Sequence, residues 1–347
     1  MSRSNIVPLR PGGQPPSSRR RMPYILLALA GIAILVFFVS IGLGSRNTAL
    51  PDVVRTLFGY GTAEQSLILH TLRLPRALVA VLAGAALSVA GAILQGIIRN
   101  PMASPDIIGI TGGATFAAVA FITYLGGAVS IKWLPAAAFA GAALISIVIY
   151  LLAWNRGVSP IRLVLIGVGI SAVTGSLTML MIVLSPVNAA GQAYVWMTGS
   201  VYGSSWGDVY SVLPWVLVLI PLALYLHRHL NVQELGDEVA TGLGSPVQVH
   251  RFLLLMVSVA LAGAAVAVAG AVGFVGLIAP HIARKLVGPS FDGLVPAAAM
   301  VGGLMVLLAD TIGRTVFLPL DVPAGVFTAA VGAPYFIYLL YRSRHSG

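Results

Sequence analysis

LAGAALSVAGA at residues 82–92 returns as LAGAAVAVAGA at residues 261–271, with nine of eleven positions identical at an offset of 179. Pro101 and Pro280 keep the same offset. The register is uninterrupted, so a duplicated unit explains the match better than the chance similarity expected in a chain rich in Ala, Gly and Val. Duplicated halves in an apolar chain are a signature of membrane transport folds.

Composition fixes the medium. Of 347 residues, 58% are hydrophobic and 9% charged, and the mean hydropathy is +0.95. Soluble domains carry about 25% charged residues, and a chain of this size with so little polarity cannot cover a water-facing surface. Apolar stretches of about 20 residues, enough to cross roughly 30 Å of hydrocarbon, recur along the whole length and leave no room for a separate soluble domain. Cysteine is absent, which excludes disulfides, thiolate metal sites and cysteine nucleophiles while leaving the redox compartment open.

The apolar runs predict helices at 24–43, 76–98, 107–125, 134–154, 163–184, 209–226, 252–272, 274–288, 294–312 and 322–341. The expectation is an all-α membrane protein with ten transmembrane helices: a basic tail at 1–22, then one transmembrane domain at 23–342 with halves at about 23–187 and 188–342. Nine spans is the alternative, because 252–288 is one long apolar run whose division near Gly273 to Pro280 leaves a short second helix. An even count places both basic termini in the cytoplasm, Arg3, Arg10, Arg19, Arg20 and Arg21 at the front and Arg342 and Arg344 at the back. Together with Arg99, Arg156, Arg162, Arg228, Arg251, Arg284 and Lys285, that side collects fourteen of the 20 Lys and Arg. Arg46, Arg55, Arg73, Arg76, Lys132 and Arg314 fall on the other side. The first apolar stretch shows no clear small-residue cleavage site, so it reads as an uncleaved helix. The net charge of +10 sits beside helix ends and follows from topology, not from nucleic-acid binding.

The two repeat copies sit on the second and seventh predicted helices. Five spans is an odd separation, so the copies cross the membrane in opposite directions, as inverted repeats do. Gly84, Ser88 and Gly91 in one copy and Gly263, Ala267 and Gly270 in the other let helix backbones approach closely, where apolar side chains gain little over lipid. Packing is the reading for these small residues, ahead of substrate contact. Pro135, Pro221 and Pro334 are expected to end or kink helices locally.

No energy source is evident within the chain. A nucleotide-binding P-loop needs a lysine followed by Ser or Thr, and Lys132 and Lys285 are followed by Trp133 and Leu286. Asp310 is the acid that falls deep within a span, and Arg314, four residues on, shares its helical face. An ion pair near the outer end is the simpler reading of these two, ahead of a proton relay. For an enzyme the chain offers no catalytic residue: HExxH and G-x-S-x-G are read as absent, and Asp310 has no evident second aspartate. His70, His227, His229, His250, His281 and His345 form no convincing metal cluster, so a bare ion lacks ligands inside the membrane. A chelate wrapped in an organic carrier removes that need.

The longest polar connection, residues 227–251, reads HRHLNVQELGDEVATGLGSPVQVHR. The acids Glu234, Asp237 and Glu238 precede Ala240, and Leu243-Gly244 ends a short helix before Pro246. A solvated loop and a docking surface for an energy-supplying partner both fit this pattern.

RLPRALVAVLAGAALSVAGAILQGIIRNPMASPDIIGITGGA at 73–114, ELGDEVATGLG at 234–244, GAVGFVGLIAPHIAR at 270–284, LLADTIGR at 307–314 and VPAGVFTAAVGAPYFIYLL at 322–340 resemble the signatures of FecCD-type permease subunits. These serve ATP-binding-cassette importers for ferric siderophores, haem or vitamin B12. The resemblance implies a BtuC-like fold of two inverted five-helix repeats in a bacterial inner or plasma membrane, paired with an identical or homologous permease. It implies two ATPase subunits that use ATP and Mg, an extracytoplasmic substrate-binding protein, and no cofactor in this chain. It assigns Gly236, Glu238, Ala240, Leu243 and Gly244 to ATPase coupling and Arg73, Arg76 and Arg314 to docking the binding protein. The pathway it implies is bordered by Ser171, Thr174, Ser176, Thr178, Thr328 and the polar-aromatic stretch Gln192 to Trp206. Within it, individual hydroxyls cannot be chosen, since Ser and Thr in helices commonly bond their own backbone. An ion-coupled secondary transporter is the rival class, because inverted repeats suit it equally.

Overall fold

The computed structural model describes residues 16–44, 47–126, 128–155 and 157–343. Arg3, Arg10, Arg46, Arg156, Arg344 and His345, used in the topology and metal arguments above, lie outside the described residues. Among the described residues the chain is helical, with β pairing confined to two isolated bridges.

In chain order, α1 (Pro16–Gly42) starts earlier than the expected end of the tail, and α2 (Leu50–Leu57) and α3 (Ala63–Leu67) follow. A capping box starts α3: Thr62 Oγ1 accepts from Gln65 N while Gln65 Oε1 accepts from Thr62 N. The π-helical turn Ile68–Arg73 fuses it to α4 (Leu74–Ile98), making one apolar helix from Ala63 to Ile98. Next come α5 (Ile110–Ala120), extended by a π turn to Leu125, α6 (Leu134–Ala153), α7 (Pro160–Leu184), α8 (Val187–Met197) and α9 (Trp206–Tyr225). The polar connection folds as α10 (His227–Glu234) and α11 (Asp237–Gly242). The chain then runs through α12 (Val247–Ala269), α13 (Val275–Val287), α14 (Phe291–Val316) and α15 (Ala324–Ser343).

Each of the ten expected segments falls on helix. Among the described residues eight helices have the length and apolarity to cross a membrane, while the segments at 107–125 and 274–288 land on the shorter Ile110–Leu125 piece and the 13-residue α13. The run 252–288 divides at Gly270 to Phe274, earlier than the centre of the predicted break, because both residues take positive φ (67° and 66°) that helix cannot continue through. Pro280 then sits inside α13, and Pro135 opens α6 instead of kinking it, while Pro221 and Pro334 lie within α9 and α15.

The centre of the bundle is built from the repeated stretches. α4 packs against α14, α12 and α13, and α12 packs also against α6. The small residues permit these approaches: a Cβ built on Gly91 falls on the carbonyl of Gly276, and one built on Gly84 falls on the carbonyl of Gly302. Ala80, Ala83, Ala86, Ala90 and Ala92 are fully enclosed. By contrast, α1, α7, α9 and α15 keep most of their apolar surface exposed, as helices must that face lipid or another chain.

Candidate functional site

Two polar constellations sit at opposite ends of α4, whose 25 residues separate them by roughly 37 Å at 1.5 Å per residue. At the end where α4 begins, Arg76 binds Asp310 through Nε and Nη2 at 2.9 and 2.7 Å and Asp321 through Nη1 and Nη2 at 2.7 Å each. One planar guanidinium thereby joins α4, α14 and the segment before α15, a two-carboxylate geometry suited to arginine. Tyr202 lies with its ring 5.4 Å from the same guanidinium. The second aspartate near Asp310 is therefore Asp321, which the sequence reading had not paired with it.

The neighbouring arginines also turn inward. Arg314 is 3.4 Å from Asp310 and donates to Ser40 O at 2.6 Å and Leu43 O at 3.1 Å. Arg73 donates to the carbonyls of Ile41 and Gly42 at 3.0 Å each. The structure thus brings Arg73, Arg76 and Arg314 together at one end, with Arg73 and Arg314 buried against the last turn of α1. These bonds satisfy helix-terminal carbonyls that have no partner within α1.

Beside this network lies a cavity of about 1110 Å³, lined among others by Lys132, Gln192, Trp196, Tyr202, Asp208 and Ser211. Its size lies slightly above the range usual for small-molecule sites, about 300–1,000 Å³. The stretch Gln192 to Trp206, expected to be polar and aromatic, supplies much of its wall through α8 and the turn after it. That turn does contain a G-x-S-x-G pattern, at Gly203 to Gly207, which corrects the expectation that the motif is absent. Ser205 is exposed, and its hydroxyl and backbone N–H both donate to the Asp208 carboxylate at 2.9 and 2.8 Å in the capping box of α9, a helix-capping role with no histidine base in contact among the described residues. At the cavity floor Ser200 N bonds Ala269 O and Gly325 N bonds Gly199 O, so the ends of α8 and α12 meet the start of α15.

The candidate pathway hydroxyls behave as expected of helical Ser and Thr. Ser171, Thr174, Ser176, Thr178 and Thr328 donate to Gly167, Ile170, Ala172, Thr174 and Gly325 carbonyls in their own helices. Thr174, Thr178 and Thr328 are buried and Ser176 is exposed. Midway along, the loop after α4 meets the break between α12 and α13: the Asp106 carboxylate accepts from Phe274 N at 3.4 Å.

At the far end, α10 and α11 form a bracket. Gly236, at φ 104°, allows the turn into α11, and Gly244, at φ 79°, allows the turn out of it. Ala240 points inward and is fully buried; Glu238 and Leu243 are exposed. Leu235 at the end of α10, Val239 within α11 and Leu243 at its end are exposed apolar side chains and form a row on the outside of the bracket.

Beneath that row is a residue the sequence reading passed over. Asp237 binds Arg251 Nη2 at 2.7 and 2.9 Å and lies 3.5 Å from Arg99 Nη2. Arg251 is 1% exposed and donates through Nη1 to Val158 O, whose N–H in turn reaches Gln248 Oε1 at 3.0 Å. The signal in the sequence was the acidic cluster itself, which names three acids but not which one reaches inward. Removing the Asp237 carboxylate costs about 2–3 kcal/mol, below the full figure for a buried pair because Asp237 is 39% exposed. α10 is held by Arg284 to Glu234 at 3.0 Å and by Asn231 Oδ1 accepting from Phe291 N at 3.0 Å. His229 and His250 stack at 3.5 Å between ring centres, with His250 Nδ1 3.2 Å from Ser245 Oγ. Among the described residues no group of three His, Cys, Asp or Glu gathers with metal-ligand geometry.

A family model described as the FecCD transport family matches residues 32–342. The chain is 50% identical to the "Probable siderophore transport system permease protein YfhA" of Bacillus subtilis (strain 168), over 93% of this chain and 95% of the relative. It is 49% identical to the achromobactin transport system permease protein CbrC of Dickeya dadantii (strain 3937), over 90% of each. A solved structure described as a metal-chelate type ABC transporter in an inward-facing conformation superposes with a TM-score of 0.84 at 30% identity, covering 92% of this chain and 99% of the other.

Proposed function

Because this chain belongs to the FecCD transport family, we propose that it is the membrane-spanning permease subunit of an ATP-binding-cassette importer that takes up a ferric siderophore. The observation that carries the reading is similarity along nearly the whole chain to permeases named for siderophore and achromobactin transport. A metal-chelate cargo accords with the similar solved transporter. Haem and cobalamin are the alternative cargoes of the same machinery.

The architecture in this reading is ten transmembrane helices in two inverted five-helix repeats with both termini cytoplasmic. Crosswise packing supports it: α4 of the first half packs on α14 of the second, and α12 of the second packs on α6 of the first. Its orientation makes the Asp237 end cytoplasmic, in line with the distribution of Lys and Arg. There the outward row Leu235, Val239 and Leu243, on the bracket carrying Gly236, Glu238, Ala240 and Gly244, docks an ATPase dimer that supplies ATP hydrolysis with Mg. A second permease covers the exposed faces of α7 and α15, and chelate moves between the two copies by alternating access.

At the other end an extracytoplasmic binding protein delivers the chelate next to the 1110 Å³ cavity. Arg73, Arg76 and Arg314 contribute there as a buried source of positive potential, and acids on the binding protein compete with Asp321 for the outer edge of Arg76. Charges at such a rim steer encounter more than they add affinity.

Reconstitution of the permease with its ATPase and binding protein in vesicles tests the reading with radio-iron ferric siderophore. ATP-dependent accumulation is expected with the full set and none with the permease alone. Uphill uptake driven by an ion gradient without the ATPase overturns it in favour of a secondary transporter.

A further inference from the structure

Asp237 occupies an unusual position for a residue on an exposed bracket. It is the first residue of α11, immediately after Gly236, yet its carboxylate reaches into the body of the protein. Two basic groups receive it: Arg251, in the first turns of α12, and Arg99, which caps the end of α4 in a left-handed conformation (φ 56°). Those helices carry the two copies of the repeated stretch.

The contact continues into a third helix. Arg251 passes its second donor group to Val158 O, and Gln248 exchanges bonds with both the N–H and the carbonyl of Val158. Val158 is 1% exposed and directly precedes Ser159, whose hydroxyl accepts from Arg162 N to start α7, with Pro160 at the first helical position. The start of α7 is therefore fixed in space by two side chains of α12, one of them held by Asp237. A bidentate carboxylate–guanidinium pair fixes orientation as well as distance. Arg251 also has a buried Nε without a hydrogen-bond partner, so its remaining bonds are costly to give up.

From this geometry we infer that Asp237 is the positioning residue that transmits displacement of α11 to α7, through Arg251 and Val158. The inference rests on the importer reading above. Other contacts across the bracket hold it without steering a pathway helix: Glu234 pairs with Arg284 on α13, and Asn231 with the start of α14. Ala240 packs inward by contact alone. The Asp237 path is the one that reaches α7, whose exposed face carries Ser176 and whose first turn it anchors. Arg99 completes the joint by tying the same carboxylate to α4, which stays enclosed and serves as the fixed reference. Movement of α11 against α4 then appears as movement of Val158 and the α7 start.

The absence of cysteine gives a direct test. Thr241→Cys on α11 and Ile161→Cys in the first turn of α7, both exposed, are spin-labelled in the assembled, reconstituted complex. Their distance distribution is measured with and without ATP, alongside chelate transported per ATP hydrolysed. With Asp237 present, ATP shifts the distribution; with Asp237→Asn the shift is lost and the transport-to-hydrolysis ratio falls by about tenfold, within the range of ordinary allosteric coupling. Asp237→Glu restores both. The double variant Asp237→Asn with Arg251→Gln removes the uncompensated buried charge, so it recovers complex yield and thermal stability while remaining uncoupled. The inference is overturned if either neutral variant assembles and keeps the wild-type ratio and the ATP-dependent shift, or if Asp237→Glu fails to restore them in assembled complexes. Failure of the importer reading looks different, because then the unmutated complex shows no ATP-dependent uptake.

Discussion

Both ends of α4 carry arginine–aspartate pairs, yet the two ends use them in opposite ways. At the Arg76 end the guanidinium is enclosed between two carboxylates, Asp310 with a side chain 2% exposed and Asp321 with one 26% exposed, and its neighbours Arg73 and Arg314 bind the last carbonyls of α1. The network closes on itself and joins four segments into one rigid corner. At the Arg99 end the carboxylate belongs to a short helix of which Ala240 also turns inward, and the bracket's apolar residues Leu235, Val239 and Leu243 stand exposed. There the ion pair is the root of a projecting element. The contrast teaches that similar side-chain chemistry serves a fixed support at one end and a movable attachment at the other, with enclosure deciding which.

The largest expected effect comes from breaking the enclosed corner. Arg76→Ala leaves Asp310 with Arg314 alone, at 3.4 Å, and strands Asp321, so destabilisation of about 3 kcal/mol is expected. The apparent Tm of the purified subunit in detergent should drop, and Arg76→Lys should recover only part of the loss, because a point-charge ammonium cannot bind two carboxylates bidentately. An unchanged Tm for Arg76→Ala contradicts the idea of a rigid corner.

Much of the contrast was invisible in the sequence for a physical reason. The helical segments were legible because an apolar run of membrane length has few other fates, and the small residues of the repeats were correctly read as packing positions: Gly84 and Gly91 meet the Gly302 and Gly276 carbonyls. The pair Asp310–Arg314 was legible from its four-residue spacing. Arg76 with Asp310 is separated by 234 residues, and Asp237 with Arg251 crosses two turns and a helix start; spacing carries no information on either. An arginine at a helix end reads identically whether it points to solvent or into the protein. For that reason Arg73 and Arg314 looked like rim charges and prove to be buried. α8 was likewise read as a polar-aromatic stretch, since 11 residues are too few for the membrane-length criterion to register.

A smaller effect sharpens the comparison from within the corner. Asp321→Asn keeps a hydrogen-bonding side chain facing Arg76 but removes one charge at a partly exposed position, so about 1 kcal/mol is expected, in the range of charged hydrogen bonds near a surface. The same change frees the outer edge of Arg76 from competition, and binding-protein association at low salt should tighten severalfold. A weaker association after Asp321→Asn indicates that the binding protein reads Asp321 itself, and the assignment of Arg76 as a docking charge fails.

The smallest effect is expected at the projecting end, away from Asp237. Glu234 and Arg284 meet through a single bond at 3.0 Å with side chains 29% and 24% exposed. Water and ions screen such a pair, and holding two flexible side chains together offsets much of its attraction, so Glu234→Ala is expected to cost about 0–1 kcal/mol. Arg284 retains its position over the Phe291 ring, 5.8 Å from the centroid, which further softens the loss. The thermal midpoint of Glu234→Ala should therefore lie near that of the parent protein and well above that of Arg76→Ala. If the two variants unfold at the same temperature, the bracket is as much a part of the rigid body as the Arg76 corner, and α11 has no freedom to move against α4.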